Sequence, residues 1–147
     1  MAITTAMCNS FKGEILGGTH DLDTDDIKLA LIKATPTGTY NADTENYSDV
    51  TGNSDEASGT GYTAGGQTLD NISITVDDTN DVAYVDIDDE VFSDVTTSAD
   101  GCIIYNSSQG NKAIAVIDFG GTVSATAGDL TIEFPAAAYN TAIIRIA

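Results

Sequence analysis

Hydrophobic and polar positions alternate along much of this chain with the period of a β-strand. Ile27, Leu29 and Leu31 alternate with Lys28, Ala30 and Ile32, which predicts a strand with one well-buried face. Pro36 ends that run. Ile72, Ile74 and Val76 alternate with Ser73 and Thr75, and residues 82–87 and 91–96 continue the alternation. Asp77-Asp-Thr-Asn-Asp has the composition of the hairpin turn between the first two of these. Four β-branched runs then close the chain, at residues 101–106, 112–121, 129–135 and 141–147, separated by Gly, Asn, Ser, Asp and Pro. That punctuation predicts successive strands of one sheet system.

Three stretches depart from the alternation. Phe11, Ile15 and Leu16 fall on one side of a helical wheel, with Ser10 as a cap and Gly17-Gly18 as a stop. This predicts one short helix over residues 11–16. Residues 1–9 have no clear period and read as an extended arm. Residues 37–66 offer little to bury, and thirty structureless residues are unusual inside a compact domain. Either a small element around Tyr47 to Val50 is hidden there, or the stretch is a functional excursion that reaches a neighbour. The expected fold is all-β: a β-sandwich, jelly-roll or immunoglobulin-like, of about eight strands with one short N-terminal helix. With 147 residues the chain reads as a single domain, 1–147.

Charge narrows the partners. The chain carries 23 acidic and five basic residues, a net charge of -18, and 20 of the acids precede residue 101. Nucleic acid is excluded as a direct partner by this balance, because phosphate binding needs cations. An anionic membrane surface is disfavoured for the same reason. The N-terminal residues lack a basic region followed by an apolar stretch, so no secretion signal is expected. Cys8 and Cys102 lie far apart without metal-ligand spacing.

No motif for catalysis emerges. Asp21, Asp23 and Asp25 match the first, third and fifth places of a helix-loop-helix calcium loop. The sixth place needs Gly and holds Asp26, and the twelfth needs Glu and holds Ile32. Residues 59–66 are glycine-rich but lack the Gly-Lys-Ser/Thr step of a phosphate cradle, and read as a close-packed bend. His20, the only histidine, sits in a polar turn beside Asp21 with no nucleophile elbow nearby. A glycosidase cleft stacks sugars on aromatic rings, and the chain has no Trp. We therefore expect no enzyme, no catalytic or metal residues and no cofactor.

Four stretches carry a resemblance. They are Ser10-Phe-Lys-Gly-Glu-Ile-Leu-Gly-Gly-Thr-His-Asp-Leu with Ile27-Lys-Leu-Ala-Leu, then Gly59-Thr-Gly-Tyr-Thr-Ala-Gly-Gly-Gln-Thr-Leu, then residues 103–120, then Ala142-Ile-Ile-Arg-Ile-Ala. Together they resemble small virion proteins of tailed bacteriophages. The Gly-Tyr-Thr-Ala-Gly-Gly block and the block from Ile-Tyr-Asn-Ser-Ser to Asp-Phe-Gly are its specific parts. The resemblance implies a structural protein of the particle, a capsid decoration or cement protein on the virion surface, assembled in the host cytoplasm. Its implied partners are the major capsid protein and further copies of itself in a homo-oligomer. The alternatives are a tail, neck or fibre component, and a carbohydrate-binding β-sandwich module. The last needs exposed aromatics on one face, with Tyr40, Tyr47, Tyr62, Tyr84, Tyr105 and Tyr139 available.

Overall fold

The computed structural model describes residues 2–147. In chain order the elements are β1 (Ala6–Met7), α1 (Asn9–Leu16), β2 (Ile27–Lys33), α2 (Tyr47–Gly52), β3 (Gln67–Thr68), β4 (Ser73–Asp77), β5 (Val82–Asp86), β6 (Glu90–Asn106), β7 (Lys112–Ile132) and β8 (Ile144–Ile146). They form two antiparallel sheets, one ordered β1-β7-β6-β2-β3 and the other β4-β5-β8. The fold is all-β and sandwich-like, as the alternation predicts.

The five-stranded sheet holds the core. Leu29, Ala30, Leu31 and Ile32 of β2 are all fully buried, as are Cys102, Ile103 and Ile104 of β6. Consecutive burial means that both faces of the sheet are covered here, so the runs are continuously apolar. Phe11 of α1, Val50 of α2 and Tyr40 join the same hydrophobic cluster. Val85 and Ile144 attach the smaller sheet to it.

β6 and β7 make one long ribbon. Runs that read as separate strands at 91–96 and 101–106 are a single strand, and the runs at 112–121 and 129–135 likewise merge into one strand, which ends at Ile132. The register shifts between Phe92 and Val95, Val95 and Thr97, Ala99 and Gly101, and Ile104 and Tyr105. Those irregularities absorb the residues that locally look like turns. A 3-10 turn at Ser107–Gln109 joins the strands, capped by the Asn106 side chain, which accepts from the Gln109 N–H at 3.2 Å.

Two expectations need correction. Residues 2–9 are not a free arm but are stitched into their own fold. Thr4 N–H donates to Tyr40 O at 2.9 Å, Cys8 N–H to Ile114 O at 2.9 Å, and Ala6 and Met7 pair with Val116 and Ala115. The helix begins two residues earlier than expected. Its N-cap is Cys8, which makes no side-chain cap, and the Ser10 hydroxyl is buried without a partner instead of capping.

The 37–66 stretch contains the small element anticipated at Tyr47. Asn46 and Asp49 form a reciprocal capping box that starts α2. The stretch is pinned against its own chain: Ala57 N–H donates to Leu31 O and Lys33 N–H to Asp55 O.

Candidate functional site

Most residues singled out for chemistry are committed to the fold. Asp25 Oδ2 accepts from Asp21 N–H at 3.0 Å and from Asn106 Nδ2 at 2.7 Å. The Asn106 amide, with the Asp21 N–H, holds the Asp25 carboxyl below its ordinary range. In the second acidic turn Asp77 accepts from Thr79 N–H, Asn80 N–H and Asn80 Nδ2. Both loops spend carboxylates on their own amides. Among the described residues no three His, Cys, Asp or Glu side chains gather as a metal site.

His20 is not in an open polar turn, because its side chain is fully buried. Its ring packs edge-on to Phe11 at 5.0 Å. Nε2 lies 2.7 Å from Glu14 Oε2, and Nδ1 lies 3.0 Å from Asn106 Nδ2. Glu14 also pairs with Lys112 at 2.8 Å. Burial raises the Glu14 carboxyl, but Lys112 and His20 outweigh it and hold the group below its usual range. The cluster ties α1 to the β6–β7 turn.

Sequence reasoning missed Asp55, the most densely bonded carboxylate. It is fully buried and accepts from Thr37 N–H, Gly38 N–H and the Tyr40 hydroxyl at 3.0, 2.7 and 2.7 Å. Lys33 Nζ lies 2.9 Å from its Oδ1. Burial raises its carboxyl, yet these donors prevail and keep it far below the carboxylate range. Nearby, Glu56 accepts from the Tyr47 and Tyr62 hydroxyls and from Gly65 N–H. Tyr47 stacks on Tyr105 at 4.5 Å.

These bonds also fix the glycine-rich bend, where Tyr105 donates to Gly65 O at 2.6 Å. Gly66, at φ 72°, lies against the Leu29 carbonyl with no room for a Cβ. Of the six tyrosines only Tyr139 is exposed. Cys8 and Cys102 are free and buried. Burial pushes the Cys8 thiol up to about 12.

One concavity is of another kind. A groove of about 470 Å³ runs between β7 and the segment that follows it. Ile117, Phe119, Leu130, Ile132, Phe134 and Ile143 form its apolar walls, and Glu133 supplies one carboxylate. The chain's start and residues 45–46 cover this edge of β7 from Lys112 to Asp118, and beyond Asp118 the edge has no strand partner among the described residues. Such a groove can bury apolar side chains of a partner. Comparison with protein-family models, curated proteins and solved structures finds no match to this chain.

Proposed function

We propose that this chain is a structural protein of the virus particle, a decoration or cement protein on the head shell of a tailed bacteriophage. The observation that carries the reading is the apolar groove along the open edge of β7, set in a small β-body of net charge -18. A protein displayed at high copy number needs a rigid core and a charged, soluble exterior, with apolar surface confined to where it docks. The internally bonded carboxylates serve that rigidity. The resemblance in residues 10–22 with 27–31, 59–69, 103–120 and 142–147 favours the major capsid protein as the partner.

The test is the number of copies in purified particles, measured by quantitative mass spectrometry. A decoration protein is present at a fixed ratio to the major capsid subunit. A few copies per particle would move the chain to the tail, neck or fibre, and absence from particles would overturn the reading. Val123→Asp charges an exposed residue of the groove wall, and should abolish attachment while leaving the protein folded.

A further inference from the structure

The small sheet has an open edge on each side, β4 at one and β8 at the other. Ile74 lies opposite Val85, and Val85 opposite Ile144. By the two-residue period, Ile74, Val76, Val85, Ile144 and Ile146 therefore share one face. Val85 and Ile144 are buried, yet Ile74, Val76 and Ile146 are 52%, 70% and 54% exposed. Leu16, at the end of α1, is 89% exposed.

A groove of about 370 Å³ lies between α1 and β8. Met7, Ile15, Leu16 and Ile146 line it, together with Lys12 and Arg145. The chain has only five cationic side chains. Lys33 and Lys112 are engaged by Asp55 and Glu14. Among the described residues the other three form no ion pair, and two of them border this groove. An apolar groove flanked by cations that lack an acidic partner, on an otherwise anionic molecule, suits an acidic apolar strand.

We infer that β4 of a second copy docks along β8 in this groove and joins copies head to tail through their small sheets. β4 supplies each complementary part. Its outer edge has no strand partner, so its backbone can pair with the open edge of β8. Ile74 and Val76 project from one face, and Asp78 follows just beyond the strand to meet Lys12 and Arg145. Antiparallel pairing of β4 with β4 would instead set Asp77 opposite Ser73 of the other copy and offer the aspartates no cation. Because the two edges differ, the contact is heterologous and builds rings or filaments. This goes beyond the virion reading: self-association is measured on free protein, so either can fail alone.

Sedimentation velocity over a concentration series tests it, with circular dichroism to verify folding. The native protein should associate. Val76→Asp disables the strand and Leu16→Glu the groove, both at exposed positions. Each should weaken association roughly tenfold or more, the effect of losing one buried aliphatic contact. Mixing the two variants leaves one intact junction and should give heterodimers and nothing larger. Arg145→Glu should weaken association, and Asp78→Arg added to it should restore it. A monomeric native protein would overturn the inference, as would a mixture that stays monomeric. So would normal association of Leu16→Glu, the result expected of β4–β4 pairing.

Discussion

β2 and the inner half of β6 leave almost nothing for solvent, since Leu29 through Ile32 and Cys102 through Ile104 are fully buried. β4, in the smaller sheet, leaves four of its five residues exposed, Ile74 and Val76 among them. Both regions have apolar β-branched residues at strand spacing. What separates them is cover. The larger sheet is enclosed by α1, the 37–66 stretch and the chain's own start, and the smaller is held chiefly by Val85 and Ile144. Folding stability should therefore reside in the first region, and the capacity to bind in the second.

Truncation is the most direct way to break this contrast. Ile104 is fully buried near the turn end of the ribbon, between Leu29 of β2 and Ala115 of β7. Ile104→Ala should cost about 4 kcal/mol, the lost transfer energy plus a cavity that enclosing strands cannot close. Urea unfolding measures it, and a loss below about 1 kcal/mol would mean that the ribbon is not the centre of stability.

The polar counterpart of Ile104 is Asp55, which fastens residues 37–40 and Lys33 of β2 together. Asp55→Asn removes the charge that these donors address and should cost about 3 kcal/mol at neutral pH. The pH dependence has a definite sign. The carboxyl is held lower in the folded chain than in the unfolded one. Its contribution is thus complete above the unfolded value of about 4 and is lost as pH falls below it toward the folded value. Unfolding midpoints from pH 7 to pH 3 should therefore fall more steeply for the native protein than for Asp55→Asn. Parallel curves would show that Asp55 does not carry the shift.

The sequence makes some of this architecture readable and hides the rest for physical reasons. Period-2 spacing located β2 and the β4–β5 hairpin, because alternation follows directly from the pleat. It did not reveal the β6–β7 ribbon as two continuous strands. Gly101 and Gly120-Gly121 look locally like breaks, and only the partner strand turns such residues into bulges or bends. Asp55 was equally hidden. Its partners Thr37 and Tyr40 lie 18 and 15 residues away in a polar stretch without periodicity. The β7 groove was hidden too, since its walls come from residues as far apart as Ile117 and Ile143. Alternation identifies which residues share a face. Whether anything covers that face depends on tertiary packing, and Ile74 and Val76 show the difference.

Those two residues give the smallest and most discriminating effect. Ile74 retains about half its exposure in the folded chain, so trimming it removes little surface that folding had taken from water. Its half-open surroundings also mean that trimming it leaves no enclosed cavity. Ile74→Ala should therefore change unfolding free energy by less than about 0.5 kcal/mol, the range of ordinary surface substitutions. The measurement belongs at dilute concentration, where self-association cannot add stability by mass action. At high concentration the same variant should lose stability relative to the native protein, because the native contact then contributes. A dilute loss close to that of Ile104→Ala would show that β4 is packed as tightly as β6. The two sheets would then form one uniform core, and the division between stability and binding would disappear.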